Sequence, residues 1–393
     1  MKYTVERDAL AEAVSWVARA LPARPVLPVL SGLLLAASDG FLTLSCFDYE
    51  VSARVRLRAE VAEPDVVLVP GRLLMEIIRA LPPHPVEFAD DPDGVSVNCG
   101  DASFMVTPLP LAEYPELPEL PQLAGTVDGG ALSAAIAQVA PAASRDDTLP
   151  MLTGVSVELD GAAMTLAATD RYRLAVRDLD WSPAPAAGDQ GRIALLVPAR
   201  TLSDAARMMN GGTEVRVLLR ASDGSAEAMI GFEAGDRRLT TRLLAGEFIR
   251  YQSRFPEEFG CTADLPADAF AEAVRRVALV AERGTPVQLS FAPGQVTVGA
   301  ATQGQARARE TLAADYAGDQ PTIAFSPQYL LDGVVAAAAP GTGPDGAATE
   351  TAQIRLRFTS PAKPAVITPG PGDPAAAGDT RGFRYLVVPQ RLR

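Results

Sequence analysis

The segment that decides the fold runs from Leu149-Pro-Met-Leu-Thr-Gly154 to Leu166-Ala-Ala-Thr-Asp-Arg-Tyr-Arg-Leu-Ala-Val176. Nearly the same text occurs earlier, as Leu27-Pro-Val-Leu-Ser-Gly32 followed by Leu44-Ser-Cys-Phe-Asp-Tyr-Glu-Val-Ser-Ala53. The offset is constant, because 149 − 27 and 170 − 48 both equal 122. A repeat that keeps its register over this length indicates a duplicated structural unit.

Each copy has the residue pattern of paired β-strands. Val155, Val157 and Leu159 alternate with polar or small residues, which is typical of a strand with one buried face. An Asp-Gly pair follows at 160–161, and its counterpart lies at 39–40. Because Asp-Gly favours tight hairpin turns, each copy is predicted to contain an antiparallel hairpin.

A first amphipathic helix is predicted at residues 7–21, where Leu10, Val14, Val17 and Leu21 share one face. The same apolar spacing recurs at Leu132, Ile136 and Val139, and again at Phe270, Val274 and Val277. Three copies of the opening helix are therefore expected.

A second helix is also predicted three times, after prolines that are tolerated at a helix start. The prolines are Pro70, Pro198 and Pro327, and their separations are 198 − 70 = 128 and 327 − 198 = 129 residues. We therefore predict an α+β fold of three tandem domains, each with two helices packed on antiparallel strands. The predicted domains are residues 1–122, 123–256 and 257–393.

The composition is that of a globular protein, with 48% hydrophobic and 21% charged residues among 393. No run of 18 apolar residues is present, which argues against a membrane span, and the N-terminus lacks an apolar signal core. We therefore expect a cytoplasmic protein without membrane contacts. Cys46, Cys99 and Cys261 are predicted to be buried free thiols, because they are far apart and odd in number.

The net charge of −13 argues against general nucleic-acid affinity but leaves room for a local basic surface. Lys2 and Lys363 are the only lysines, so arginine carries most of the positive charge. Any one arginine is ordinarily a solvated residue on a helix face. The functional interpretation is that equivalent helices present arginines to one shared axis, where they bind a polyanion.

The sequence contains little that indicates catalysis. The single histidine, His84, lies in a Pro-rich turn and forms no recognisable triad. Asp90-Asp-Pro-Asp-Gly94 resembles part of a calcium loop but lacks the downstream glutamate, so a hairpin turn is expected. We expect no enzymatic activity, no metal and no other cofactor. A metal-dependent nuclease using the Asp90 cluster is the alternative from a different functional class.

Motifs along the whole chain resemble the bacterial DNA polymerase III beta subunit, the sliding clamp, of the high-GC Gram-positive type. They are Met1-Lys-Tyr-Thr-Val-Glu-Arg7, Arg24-Pro-Val-Leu-Pro-Val-Leu-Ser-Gly32, Ala168-Thr-Asp-Arg-Tyr-Arg-Leu-Ala-Val176, Leu243-Leu-Ala-Gly-Glu-Phe248 and Tyr385-Leu-Val-Val-Pro-Gln-Arg-Leu392. The resemblance implies three DNA-clamp domains that form a head-to-tail homodimeric ring around double-stranded DNA. It implies a role as a processivity factor in DNA replication, with arginines that contact phosphates and so carry no sequence information. The expected DNA-binding residues are Arg24, Arg72, Arg79, Arg145 and Arg200.

The resemblance also implies a peptide-binding groove between the second and third domains. Its expected partners are the replicative polymerase alpha subunit, the clamp loader, other polymerases and repair factors. The matching groove positions are Leu152, Thr169, Arg173, Leu174, Ile249, Ser326, Tyr329, Val387, Val388, Pro389, Gln390, Arg391 and Leu392. At the dimer interface, the resemblance implies contacts of Phe104 and Val106 with Leu279 and Val280.

Departures from the family pattern cluster around the groove. Ile249 stands where the family commonly has proline, Lys363-Pro364 replaces small residues, and residues 369–382 look inserted. These changes suggest an alternative within the family, namely a variant or second-copy clamp whose altered groove gives tolerance to cyclic-peptide inhibitors.

Overall fold

A computed structural model describes residues 2–185, 191–207, 209, 213–221, 227–282, 284–302, 305–339, 352–371 and 382–391. The helices are α1 (Arg7–Val17), α2 (Gly71–Ala80), α3 (Gly129–Val139), α4 (Ala199–Ala206), α5 (Ala267–Ala278) and α6 (Pro327–Ala338). The strands are β1 (Lys2–Val5), β2 (Gly32–Ser38), β3 (Phe41–Phe47), β4 (Val51–Arg58), β5 (Glu60–Glu63), β6 (Asp65–Pro70), β7 (Val86–Asp91), β8 (Gly94–Cys99), β9 (Ala102–Val106), β10 (Gln122–Asp128), β11 (Gly154–Asp160), β12 (Ala163–Thr169), β13 (Arg173–Asp180), β14 (Ser182–Pro183), β15 (Ile193–Pro198), β16 (Glu214–Arg220), β17 (Met229–Ala234), β18 (Arg237–Arg242), β19 (Cys261–Pro266), β20 (Val287–Ala292), β21 (Gln295–Thr302), β22 (Ala306–Ala313), β23 (Asp315–Ala317), β24 (Thr322–Phe325), β25 (Gln353–Phe358), β26 (Ala365–Pro369) and β27 (Phe383–Val387).

The helices occur where the apolar spacing predicts them. The predicted helix 7–21 ends at Val17 and continues as a short 3-10 turn to Ala20. Its continuation stops because Pro22 disfavours a helical conformation at Leu21, which is extended. Helices α2 and α4 begin directly after Pro70 and Pro198, and Pro327 is the first residue of α6.

The chain divides into two compact units. Unit 1 comprises Met1–Gly129, Ala184–Ala187 and Arg207–Leu243, and unit 2 comprises Gly130–Pro183, Gly188–Ala206 and Leu244–Arg393.

Unit 1 contains two antiparallel sheets. The smaller has the order β5-β1-β7-β8-β9, and the larger contains β10-β16-β17-β18-β4-β3-β2-β6. Helices α1 and α2 pack together, and α1 contacts β3 and β4 of the larger sheet. Leu10 and Val14 of α1 are fully buried in this core, as are Leu44 of β3 and Leu74 of α2.

Unit 2 also contains two antiparallel sheets, with the orders β15-β11-β12-β13-β27-β26-β25-β19-β23 and β22-β21-β20-β24. Helix α6 packs on β25, β26 and β27, and α5 packs on α6 and on β21 and β22. Phe270 of α5 and Tyr385 of β27 are among the largest fully buried side chains.

The 122-residue repeat is visible in a matching turn before β4 and before β13. Asp48 accepts hydrogen bonds from the backbone N–H groups of Glu50 at 3.0 Å and Val51 at 2.7 Å. Asp170 does the same with Tyr172 at 3.0 Å and Arg173 at 3.1 Å. The residue after each aspartate has a positive φ, 75° at position 49 and 81° at position 171. The duplicated text therefore folds into a duplicated turn.

The structure confirms the predicted hairpin turns and the buried cysteines. Asp-Gly turns join β2 to β3 and β11 to β12, and the Asp90 segment forms the β7–β8 hairpin. The three cysteines are buried and unpaired, and His84 is exposed in a turn. In the described ranges, no helix is long and apolar enough to cross a membrane.

Candidate functional site

The candidate groove in unit 2 is organised around Arg173, the first residue of β13. Its Nε donates to Asp170 at 2.9 Å, and its Nη1 donates to Asp332 of α6. Burial opposes the positive charge, but the neighbouring Tyr385 hydroxyl, hydrogen bonding to Asp332 and the charge of Asp170 together outweigh it and raise the pKa of Arg173. The guanidinium therefore stays charged and holds the start of β13 against α6.

Tyrosine rings flank this arginine. The guanidinium carbon of Arg173 lies 4.6 Å from the centre of the Tyr329 ring, within cation–π range. The Tyr329 ring also stacks on Tyr172, with centroids 6.3 Å apart. Tyr172 is exposed, whereas Tyr329 is half-buried in the first turn of α6. The rim of the groove thus offers the exposed Tyr172 ring beside a fixed positive charge.

An apolar cluster lies next to the rim. Its buried members are Ala167, Leu174, Val176, Tyr251 and Leu386, and the partly buried Phe248, Phe255 and Val388 pack against it. Leucine and aromatic side chains of a bound peptide would find apolar partners on such a surface.

The chain after β27 lies along the same region. The N–H of Val388 donates to the carbonyl of Tyr172 at 2.8 Å, and the N–H of Gln390 donates to the carbonyl of Ala324 at 2.8 Å. Val387 is fully buried, Pro389 is half-buried, and Gln390 and Arg391 are exposed. Leu392 lies outside the described residues.

The other predicted groove residues lie on separate segments of unit 2. Thr169 ends β12, and its hydroxyl donates to the carbonyl of Arg173. Leu152 is buried at the end of a 3-10 turn, and Ile249 is 39% exposed in the segment before β19. Ser326 precedes α6, and its hydroxyl makes no capping hydrogen bond. Contacts described above thus bring five predicted groove residues together, namely Thr169, Arg173, Leu174, Tyr329 and Val388. Leu152 and Ile249 lie on other segments of unit 2.

Asp170 and Asp332, which hold Arg173 in place, are not among the groove residues predicted from the sequence. A signal for Asp170 was available, because it repeats Asp48 at the 122-residue offset. Asp332 lies three residues after Tyr329 on α6, so the two share a helix face. Nothing in the sequence pairs Asp332 with an arginine 159 residues away.

The predicted DNA-binding arginines are all exposed. In unit 1, Arg72 and Arg79 lie on α2, where Arg72 donates to the carbonyl of Pro22 at 3.3 Å and Arg79 donates to Ser15 of α1 at 3.1 Å. Arg24 lies in the loop after α1, two residues beyond Pro22. In unit 2, Arg145 lies in a loop and Arg200 lies on α4.

The residues predicted for the dimer interface lie beside edge strands. Strand β9 is the last strand of the small sheet in unit 1, and β22 is the first strand of the small sheet in unit 2. Phe104 on β9 is 37% exposed, and Leu279, directly after α5, is 84% exposed. Val280 is half-buried, whereas Val106 is only 1% exposed, so any contact made by Val106 would involve its backbone.

Comparisons with known proteins assign these features to one family. Consecutive parts of the chain match the DNA polymerase III beta subunit, with the N-terminal domain at residues 1–118, the central domain at 126–249 and the C-terminal domain at 252–377. The chain belongs to the DNA polymerase III beta subunit family. It therefore consists of three tandem clamp domains, as the threefold helix pattern predicted.

Relatives of this beta subunit family are similar over the whole length. The Beta sliding clamp of Streptomyces coelicolor is 49% identical, and the Beta sliding clamp homolog GriR of Streptomyces muensis is 43% identical, each with complete coverage of both chains. A crystal structure of a DnaN sliding clamp from Pseudomonas aeruginosa bound to griselimycin is 26% identical, with a TM-score of 0.86 and complete coverage of both chains. These matches thus favour a beta sliding clamp. They do not favour the two alternatives, which were a variant clamp with an inhibitor-tolerant groove and a metal-dependent nuclease.

Proposed function

We propose that this protein is a DNA polymerase processivity factor in which two copies join head to tail and encircle duplex DNA. In this function the protein catalyses no reaction and needs no cofactor. It holds the polymerase on DNA by encirclement, and it acts in the cytoplasm. The full-length match to the three clamp domains carries the proposal.

The proposed ring closes through the edge strands β9 and β22 of different copies. Each has one side without a strand partner among the described residues, so backbone pairing across the interface is available. Phe104, Leu279 and Val280 supply apolar side chains, and Val106 supplies backbone. Because the two edges differ, the contact is heterologous, and such contacts generate rings when the rotation closes.

Contact with DNA is proposed for Arg24, Arg72, Arg79, Arg145 and Arg200. Their guanidinium groups are exposed, and the net charge of −13 opposes DNA binding to the acidic parts of the surface. Contacts to phosphates are independent of sequence, so they hold the duplex while permitting sliding.

Partner binding is proposed for the groove in unit 2. A short peptide of the Gln-Leu-x-Leu-Phe type would place its leucine and phenylalanine side chains on the apolar cluster next to Leu174 and Val388. Tyr329 and Arg173 would contact it at the rim, and Gln390 and Arg391 are exposed for polar contacts. The proposed partners are the polymerase alpha subunit, the clamp loader, other polymerases and repair factors.

A cyclic-peptide inhibitor is a further proposed ligand of this groove. Griselimycin is bound in the structure of the Pseudomonas aeruginosa relative. The apolar cluster and its aromatic rim suit an apolar cyclic peptide as well as a linear one.

We also propose domain limits of 1–122, 123–256 and 257–393. The first two ranges enclose the family matches at 1–118 and 126–249, and the third match begins at 252, within the proposed second domain.

Retention on DNA of different topology tests the ring. The protein is loaded onto a nicked circular plasmid with a clamp loader and ATP, and half of the sample is then cut with a restriction enzyme. We expect the protein to co-elute with circular DNA on gel filtration and to be lost from the linear product. Equal retention on both forms would contradict encirclement.

A further inference from the structure

An arginine-rich surface covers one face of the larger sheet in unit 1. We call it the arginine stripe and define it as Arg54, Arg56 and Arg58 of β4, Arg216 of β16 and Arg238 of β18. Arg54 is directly opposite Arg238, Arg238 is opposite Glu233 of β17, and Glu233 is opposite Arg216. Because directly paired residues share a face, as do residues two apart in a strand, these side chains lie on one surface.

The stripe lies on the sheet face opposite the helices. Val55 is buried on the face that contacts α1, and Arg237 is opposite Val55 in the neighbouring strand. Arg237 hydrogen-bonds to Glu12 of α1 and lies over the Trp16 ring at 5.8 Å. The stripe is therefore separate from α2, which carries Arg72 and Arg79.

Positive charge on the stripe is incompletely neutralised. Glu233 accepts from Arg216 at 2.7 Å and from Arg238 at 2.6 Å. No ion pair joins Arg54, Arg56 or Arg58 to a carboxylate in the part of the chain that the structure describes, although all three are exposed. Burial, followed by the like charges of Arg238 and Arg56, lowers the pKa of Arg54.

The second copy of the repeat shows how the same face can instead be covered. At the 122-residue offset, Val176 corresponds to Arg54 and Asp178 corresponds to Arg56. Val176 is opposite Arg384, just as Arg54 is opposite Arg238. In unit 2, however, Asp178 binds Arg384 at 3.0 Å, and Tyr251 packs over the apolar residues.

The difference between the two copies indicates that the first copy binds a ligand. The first copy keeps the strand pairing but has arginine at the positions of a valine and of a neutralising carboxylate. Crowded like charges raise the free energy of this surface, and a bound anion would lower it. Glu233 neutralises part of the surface, but Arg54 and Arg56 have no carboxylate at the position that Asp178 occupies in the second copy.

Spacing and aromatic content favour an acidic peptide over a nucleic acid. Alternate residues of a strand are about 6.6 Å apart, so Arg54, Arg56 and Arg58 match alternate side chains of an extended peptide. Proteins that bind single-stranded nucleic acid typically combine a basic groove with aromatic rings on which the bases stack. The aromatic ring beside these arginines, Phe41, is covered by the guanidinium of Arg56 at 3.6 Å.

We propose that the arginine stripe binds an extended acidic segment of a partner protein, with alternate carboxylates paired to Arg54, Arg56 and Arg58. Bidentate arginine–carboxylate contacts provide the recognition. The net charge of the chain opposes approach of the segment, so binding depends on the local field and weakens as salt rises.

Fluorescence anisotropy with a labelled 12-residue peptide of alternating glutamate and serine tests this proposal. We expect the double variant Arg54→Glu/Arg56→Glu to bind about tenfold or more weakly than the native protein, since two charge-assisted contacts become repulsive. Arg54→Gln/Arg56→Gln should lose less, because it removes attraction without adding repulsion. Thermal unfolding of each variant verifies that the fold is retained.

The matched control is Arg72→Glu/Arg79→Glu, which changes the net charge by the same amount on α2. This variant should retain its affinity for the peptide. An equal loss of affinity in both double variants would mean that net charge alone drives binding, and it would overturn the proposal. Equal affinity of the native protein and Arg54→Glu/Arg56→Glu would overturn it too. A twelve-nucleotide oligothymidine that binds at the stripe as tightly as the peptide would assign the surface to nucleic acid and also refute it.

Discussion

Arg173 and Tyr329 form a cation–π pair in which the guanidinium carbon lies 4.6 Å from the ring centre. The pair connects the start of β13 with the first turn of α6, and Asp170 and Asp332 hold the arginine in place. A fixed arginine at the groove rim loses little side-chain entropy when a peptide binds, because its conformation is already selected.

Replacing Arg173 with alanine should therefore weaken binding of a Gln-Leu-x-Leu-Phe-type peptide. We expect a loss of about tenfold or more, because the rim loses its charge and the carboxylates of Asp170 and Asp332 lose their partner. Isothermal titration calorimetry measures the change. Arg192→Ala is the control, since Arg192 is an exposed arginine of unit 2 paired with Glu158. Unchanged affinity in Arg173→Ala would exclude the arginine from the peptide site.

Leu279→Asp should dissociate the proposed dimer. Leu279 is 84% exposed in the single chain, and burying a leucine at an interface contributes about 1.5–3 kcal/mol. Aspartate removes this contribution and adds a charge that would have to be desolvated. Sedimentation equilibrium should show the mass falling from twice 41.2 kDa towards 41.2 kDa at micromolar concentration.

Leu120→Asp provides the control for the interface prediction. Leu120 is also exposed, but it lies between β9 and β10, away from the residues assigned to the interface. It should leave the mass unchanged. A native protein that is already monomeric at this concentration would argue against the interface itself.

Arg72→Glu/Arg79→Glu should weaken DNA contact and reduce its salt dependence. Each phosphate contact contributes about 0.9 to the slope of log K against log salt, so the slope should fall by about two in magnitude. Binding to nicked circular duplex, measured over a salt series, determines the slope. Arg54→Glu/Arg56→Glu should keep the native slope, because the arginine stripe is on the other face of the sheet. Slopes that fall equally in both variants would contradict the assignment to α2.

The local structure was predictable from the sequence because its determinants are local. Asp48 and Asp170 each accept hydrogen bonds from residues two and three positions ahead, so one motif specifies one turn. Helices α1, α3 and α5 follow from apolar spacing alone. Arg173 and Tyr329 were selected through the family resemblance.

Long-range pairing was not predictable in the same way. Strand β4 of the first repeat pairs with β18, and β13 of the second pairs with β27, so strands from consecutive repeats share a sheet. Although the sequence pattern is threefold, the residue contacts within one chain therefore divide it into two compact units. The pairing of Arg173 with Asp332, and the contrast between Arg54 and Val176, likewise depend on which strands and helices meet.

Cys46 should resist alkylation in the folded protein. Burial raises the pKa of its thiol from 9.0 to about 12, and its side chain is 1% exposed. At pH 9 the thiolate population is then about 500-fold smaller than that of an unperturbed thiol, and the thiolate is the reactive form. Iodoacetamide labelling followed by peptide mass spectrometry should show slow modification of Cys46 in buffer and fast modification in denaturant.

The same pKa shift makes stability depend on alkaline pH. Between pH 9 and about 12 the thiol ionises in the unfolded chain but stays protonated in the folded protein. The Cys46 contribution is therefore complete below pH 9, and the free energy of unfolding falls by about 1.4 kcal/mol per pH unit above it. Cys46→Ala should lessen this decline in alkaline denaturation curves, and an identical decline in both proteins would contradict the assignment.

Gly333→Ala should destabilise unit 2 and disturb the groove. A β-carbon at position 333 of α6 would overlap the Tyr385 ring and lie 3.1 Å from Ile367, too close for either contact to persist unchanged. Overpacking of this kind costs about 1–3 kcal/mol. Because the Tyr385 hydroxyl donates to the carbonyl of Tyr329 at 2.8 Å, displacement of α6 also moves the groove rim.

Thermal unfolding should report the lost stability, and calorimetry should report weaker peptide binding. Val335→Ala, on the exposed side of the same helix, should change neither quantity appreciably. Full peptide affinity in a destabilised Gly333→Ala protein would show that α6 packing and the groove are independent.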